Sequence, residues 1–387
     1  MSDNPSPTRR EEDPLIMSLL RFCGELKTML RTAASAKDVL EKIDGYTLPQ
    51  SKSHELLRYI NRATLDERDR TNVRCEKPKE IVGIWDFRFV PYSFGEYIQF
   101  CILLRTIQSE YGGLPVKVIW FVQEGQEMRF DHYGLEKLPT IQDLLKISDI
   151  FEPIENVELI TSLDCLENRI TELSENARIV PRIESENGGV YAHYIHWYRY
   201  VQNVYLVGKH LPRIIPKERI VSRLRNVLQR NGVPDTFVAI HLRANKYDSS
   251  RNVALDKWLP FAQYVSERVP ALVVVGASAE DYPEIYRENV YFTKSFDETG
   301  PDIDFPLITL SKLFIGTASG PSVMAYFNDV PCLMADHALM HEAPYVSRDN
   351  VYPWNNDKQV FLWKPTAFHE MQDAFNDIMS KIEGDHK

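Results

Sequence analysis

Short apolar runs alternating with helical stretches leave this chain few folds to adopt. Glu80-Ile-Val-Gly-Ile-Trp85 and Val116–Val122 (VKVIWFV) flank a helical segment, Phe94–Ser109, and Gly112-Gly113 interrupts the helix before the second run. Runs this short and this uniformly apolar are strands buried on both faces, which is the condition of a parallel sheet covered by helices. The second half repeats the alternation. Phe237–Leu242, Ala271–Val275, Val290–Thr293, Leu313–Ile315 and Val330–Met334 read as strands. Leu255–Arg268, Ser278–Arg287, Asp304–Ser311 and Pro321–Phe327 read as helices, with Ser278 and Asp281 forming a capping box, and a helix over 366–382 closes the chain. Between the two blocks the pattern is weaker. Leu138–Leu145, Cys165–Leu173 and the aromatic-rich Tyr191–Leu211 are helical in spacing, and Val157–Ile160 is a strand. Ahead of both lie a polar tail (1–14), helical spacing from Leu15 to about Leu40 and around His54–Arg62, and a polar connector over 63–79.

This pattern predicts an α/β chain of two Rossmann-like domains facing a cleft, with an N-terminal helical extension. The boundaries are a flexible tail and helical extension over 1–74, a first Rossmann-like domain over 75–215, a second over 216–365 and a C-terminal helix over 366–387. In such sheets ligands sit outside the carboxyl ends of the strands. That rule selects the loops that begin at Asp86, His241, Gly276, Phe292 and Gly316.

Composition narrows the partners. Across 387 residues, 45 Lys and Arg stand against 55 Asp and Glu, a net charge of −10. A general nucleic-acid surface is basic, so nucleic acid is not expected as a partner, and an anionic ligand needs a local pocket. No uncharged apolar run approaches the ~20 residues of a bilayer span, and the opening MSDNPSPTRREED lacks the apolar stretch of a signal peptide. A soluble, cytoplasmic protein is the expectation. The five cysteines (Cys23, Cys75, Cys101, Cys165, Cys332) are odd in number and never form a C-x-x-C pair, which fits reduced thiols buried as small apolar groups.

Two clusters carry the chemistry. His241-Leu-Arg243-Ala-Asn-Lys246 follows the strand TFVAI, and alternation along a strand puts His241 and Arg243 on one face at its carboxyl end. Arg243 offers a fork of donors suited to a diphosphate, and Lys246 adds a point charge. The plain alternative is an arginine pairing with a carboxylate at a strand end. The second cluster is Gly316-Thr317-Ala-Ser319-Gly320-Pro321-Ser322, a turn of small residues leading into a helix. Exposed amides and hydroxyls there suit a phosphate or a ribose. The turn lacks the G-K-[ST] ending of a Walker loop, and no G-x-G-x-x-G occurs in the chain. The ordinary alternative is a strand-to-helix turn that simply requires small residues.

Lesser candidates share the same edge. Gly276-Ala-Ser278 is another small-residue turn, and Asp302-Ile-Asp304 supplies carboxylates for a base, a ribose or a helix N-cap. On the first sheet, Asp86, Arg88, Gly95 and Glu96 follow the opening strand. Gly95 permits close approach, and Asp86 or Glu96 is a carboxylate able to take a proton if burial raises its pKa. For Glu96 the plainer role is a first-turn acid complementing the helix dipole. The pairs His193/His196 and His337/His341 have metal-ligand spacing but no H-E-x-x-H context or third ligand, so no metal site is expected.

HLRANK after a strand, followed later by DIDFPLITLSKLFIGTASGPSVMAY, resembles the donor half of the GT-B fucosyltransferase-like superfamily, which includes α-1,6- and protein O-fucosyltransferases and related bacterial enzymes. FRFVPYSFGEYIQF is similar to the Gly-containing first loop of such enzymes. The resemblance covers roughly residues 235–335. It implies a GT-B-like fold with an N-terminal acceptor domain and a C-terminal nucleotide-sugar donor domain. It further implies that His241 and Arg243 form the H-x-R pair on the diphosphate of GDP-fucose, that Asp302 or Asp304 holds the nucleotide, and that Thr317, Ser319, Gly320 and Ser322 make the hydroxyl loop. Two positions depart from the pattern: Ala244 stands where a second Arg often follows, and Ser319-Gly320 replaces the usual Ser-Ser.

The implied activity is sugar transfer from a nucleotide-sugar co-substrate to an acceptor hydroxyl, with inversion, no metal and no cofactor. Arg243, Lys246 and helix-start amides would stabilise charge on the leaving diphosphate. The competing readings are a sugar-nucleotide epimerase or hydrolase on the same fold and a non-catalytic nucleotide- or glycan-binding protein.

Overall fold

A computed structural model describes residues 77–86, 94–122, 146–148, 150–152, 154–180, 201, 204–205, 213–244, 252–337, 352, 354–363 and 365–384. In chain order the elements are β1 (Glu80–Asp86), α1 (Phe94–Glu110), β2 (Val116–Phe121), β3 (Ile154–Ile160), α2 (Leu163–Leu173), β4 (Ala177–Val180), α3 (Glu218–Arg230), β5 (Val238–Ile240), α4 (Leu255–Ser266), β6 (Leu272–Val274), β7 (Val290–Phe292), α5 (Pro301–Leu310), β8 (Leu313–Gly316), α6 (Ser322–Tyr326), β9 (Cys332–His337), β10 (Gln359–Trp363) and α7 (Phe368–Gly384). They form two α/β domains, each with its own parallel sheet: β3-β2-β1-β4 in the first and β10-β9-β8-β5-β6-β7 in the second.

Residue alternation explains how each sheet is covered. In β5, Ala239 faces one core while Val238 and Ile240 face another. The second of these cores receives Trp258 and Phe261 of α4 and Phe375 of α7. In β1, Val82 and Ile84 meet Leu166 of α2 in a third core, and Ile81 and Trp85 return to the first. The first core therefore runs unbroken from the face of one sheet to the face of the other. Gly83 makes part of it possible, since a Cβ there would stand 2.7 Å from both Leu104 and Phe100, so its absence lets α1 lie close on β1.

The strands expected at Glu80–Trp85, Val116–Val122 and throughout the second half are present to within a few residues. Three elements had no counterpart in the sequence reading: β4, β10 and α3, the last an amphipathic helix burying Ile220, Val221, Leu224, Val227 and Leu228. One expected helix is absent. Over 278–287 Asp281 accepts from the Ser278 amide (2.8 Å) and hydroxyl (2.9 Å), but the turn does not propagate. Pro283, which has no N–H to donate, opens only a single 3₁₀ turn, Pro283–Ile285. The N-terminal extension over 1–74, Leu138–Leu145 and all but three residues of Tyr191–Leu211 lie outside the described residues.

Candidate functional site

Topology locates the site. From β5 the chain proceeds outward to β6 and β7, then returns to place β8 on the other side of β5. The gap between the carboxyl ends of β5 and β8 is thus the point where the strand order reverses, where parallel α/β sheets bind ligands. His241 leaves β5 there, with its amide still paired to the Ile315 carbonyl at 2.9 Å. The turn Thr317–Pro321 leaves β8 on the other side of the gap.

Side chains close the gap. His241 Nδ1 lies 3.1 Å from Ser319 Oγ, Ser319 Oγ lies 2.9 Å from Ser322 Oγ, and the Ser322 hydroxyl donates to the Thr317 carbonyl at 2.5 Å. The Thr317 hydroxyl in turn donates to the Asp336 carbonyl at 3.2 Å. Arg243 is buried, and its charge acts on His241. Burial first, and then Arg243, lower the imidazole to a pKa of about 4, so the ring is neutral at pH 7.

A second group of candidates meets at the ends of β6 and β7. The Gly276 amide donates to Thr293 Oγ1 at 2.8 Å, and the Asp304 carboxylate on α5 accepts from the Thr293 hydroxyl and the Gly276 amide. Burial raises Asp304 to about 6 despite those hydrogen bonds. Gly276 has φ +74° with open space where a Cβ would be, so the backbone conformation selects glycine there. The sequence reading did not single out Thr293. Its signal was position, the first residue beyond β7 on the ligand edge.

The first domain reaches this edge through α1. A Cβ on Gly320 would stand 3.5 Å from the Gly95 amide nitrogen, and the Phe94 ring meets Phe305 edge-on at 5.5 Å. Since α1 begins beyond the carboxyl end of β1 and the Ser319–Ser322 turn lies beyond that of β8, these contacts bring the carboxyl edges of both sheets together. Asp86, the last residue of β1, is fully buried.

Other candidates go elsewhere. Asp302 pairs with Arg223 of α3 at 2.6 Å, in a network that also ties Arg223 and Arg230 to Glu298 and Arg230 to Asp297. Ser278 is engaged by Asp281. His337 is buried and stacks on Trp363, with centroids 5.1 Å apart and planes 3° apart, so it is a core aromatic. Cys101 and Cys332 are buried, and burial raises both thiols, whereas Cys165 is exposed because it lies on the outer side of α2. Arg88, Lys246, His193, His196, His341, Cys23, Cys75 and the side chain of Glu96 lie outside the described residues.

One supporting network was also missed by the sequence reading. Asp336, the penultimate residue of β9, has φ +51°, in the left-handed region that non-glycine residues seldom adopt. Its carboxylate accepts from Lys257 Nζ (2.6 Å), Trp258 Nε1 (2.9 Å) and the Thr366 amide (2.9 Å). Asp336 thereby joins α4 and the approach to α7 to the carbonyl that receives Thr317.

No protein-family model matches the chain, and no curated protein matches it. Solved structures align with the chain at low similarity. The E. coli ADP-heptose LPS heptosyltransferase II aligns at 13% identity and a TM-score of 0.48, covering 79% of this chain and 99% of that one. A glycosyl transferase family 9 protein from Veillonella parvula aligns at 9% identity and 0.45, covering 80% and 100%. The α-1,6-fucosyltransferase NodZ, co-crystallised with GDP, aligns at 13% identity and 0.33, covering 67% and 96%. Likenesses this distant transfer no activity. What the chain itself defines is a pair of parallel-sheet α/β domains whose carboxyl edges adjoin around a His–Ser–Ser turn. Among the described residues, no helix is long and apolar enough to cross a membrane.

Proposed function

We propose that this chain is a glycosyltransferase that moves a sugar from a nucleotide-diphosphate donor to an acceptor hydroxyl. The observation that carries the reading is the His241–Ser319–Ser322 turn at the strand-order reversal, with Arg243 beside it. In this reading Arg243 holds the diphosphate, helped by Lys246 and by the amides of the Thr317–Ser322 turn. The second group, Gly276 and Asp304 bridged by Thr293, takes the nucleoside. The H-x-R resemblance favours a GDP-fucose-like donor.

The acceptor oxygen bonds to the anomeric carbon while the bond from that carbon to the diphosphate oxygen breaks, and the electron pair leaves with the diphosphate. Attack opposite the leaving group inverts the anomeric centre. A fixed guanidinium stabilises the departing charge as a divalent cation otherwise would, so transfer is proposed to be metal-independent. Asp86, at the end of β1, or Glu96, in the first turn of α1, is proposed to take the acceptor proton.

The test is transfer of labelled fucose from GDP-fucose to a panel of glycan acceptors, with and without EDTA. Arg243→Ala is expected to lower turnover by about 10²-fold or more while leaving the melting temperature near wild type. Turnover unchanged in Arg243→Ala rejects the diphosphate assignment.

A further inference from the structure

The hydrogens along the site turn can be counted one by one. A carbonyl only accepts, so the single hydrogen of the Ser322 hydroxyl is given to Thr317. Ser322 Oγ then has only lone pairs left, and its contact with Ser319 is a hydrogen bond that Ser319 donates. With that hydrogen used, Ser319 Oγ can only accept from His241, so Nδ1 carries the ring hydrogen. The ring is neutral, and Nε2 is therefore a bare lone pair that makes no hydrogen bond with the described residues.

We propose that His241 recognises a ligand hydroxyl, accepting its hydrogen at Nε2, and does not itself hold the diphosphate. This inference rests on the nucleotide-sugar reading of the site and divides the H-x-R pair by role: Arg243 meets the anion, His241 a sugar or ribose O–H beside it. An anionic oxygen placed at Nε2 would face a lone pair. Protonating the ring to relieve that would set a second positive charge beside Arg243.

Nothing described around the ring offsets such a charge. On α5, Asp302 is turned to Arg223, and Asp304 to Thr293 and Gly276. The turn and helix over Thr317–Tyr326 carry no charged side chain, nor does the Val275–Ala279 segment after β6. Lys246, another cation, lies outside the described residues.

The test is ¹⁵N NMR of the histidine ring nitrogens in the full chain, with the His241 signals assigned by their loss in His241→Gln. In the free protein the hydrogen is expected on Nδ1, and a hydrogen on Nε2 overturns the proposal without any ligand. GDP, UDP, ADP, CDP and GDP-fucose are then added in turn. A bound state in which the ring stays neutral and Nε2 shifts is the expected result. A shift with a nucleoside diphosphate alone identifies the ribose, and a shift only with GDP-fucose identifies the sugar.

A doubly protonated ring in the bound state, or an Nε2 that does not respond to bound ligand, overturns the proposal while leaving nucleotide binding intact. Failure of all five to bind rejects the nucleotide reading and this inference with it. Binding affinity gives a second readout, with His241→Ala expected to weaken it roughly two- to tenfold, the loss of one neutral hydrogen bond.

Discussion

Two residues at the ligand edge titrate in opposite senses. His241, lowered to about 4, is protonated more readily in the unfolded chain, so its contribution to stability is lost as pH falls from the usual imidazole value toward 4. Asp304, raised to about 6, is protonated more readily in the folded chain, so acidification from neutral pH stabilises the fold through that carboxyl. In the wild type the two largely oppose one another. Asp304→Asn keeps the shape and removes one of them. Its melting temperature is expected to exceed the wild type by a few degrees at pH 8, with the advantage disappearing near pH 4, measured by scanning calorimetry across that range. An advantage equal at both ends would show that charge is not the cause. At Gly83 the constraint is steric. Gly83→Ala forces a methyl to within 2.7 Å of Leu104 and Phe100 and is expected to cost about 1–3 kcal/mol by urea titration.

At the scale of elements, what the sequence made legible followed burial. Of the inner strands, β1, β2, β5, β6 and β8 are nearly continuous apolar runs because helices cover both their faces. The missed strands, β4 and β10, are outermost strands of their sheets, and β4 is only four residues long with Arg178 among them. Val360–Trp363 of β10 is an apolar run, passed over because no helical stretch separates it from the preceding turn-rich segment by the usual alternation. Helix α3 was hidden differently: its apolar stripe is set among charged and amide side chains in a stretch read as a domain boundary. The site was legible as two clusters, His241–Arg243 and Thr317–Ser322, because both sit at strand ends. The engagement of Asp302 by Arg223 was not, because the partner lies 79 positions away.

Asp336 was silent in the sequence for the same reason, yet it links three elements behind the site turn. Asp336→Ala strands the part-buried Lys257 ammonium and removes the acceptor of Trp258 Nε1. It is expected to cost about 3–5 kcal/mol by urea titration, where a surface ion pair would cost under 1.

At the scale of the whole molecule, the core shared by the two sheets has a consequence for folding. Trp85 and Trp120 report on the first sheet and Trp258 on the second, and all three are fully buried. Because Trp85, Phe237 and Phe314 belong to one continuous apolar cluster, neither sheet can lose its packing alone. Single-tryptophan variants reporting on each sheet are expected to give coincident urea transitions, and separated midpoints would show that the sheets unfold independently.

The same closeness gives the site its character: the reversal point of the second sheet and the first turn of α1 in the other domain adjoin at Gly95 and Gly320. The most direct test of that site is a thermal-shift titration of the wild type and Arg243→Ala with GDP, UDP, ADP and CDP. A rise in melting temperature with at least one nucleotide, greatest with GDP and abolished in Arg243→Ala, is the predicted result. No rise with any of the four, or a rise that Arg243→Ala retains in full, would contradict the account.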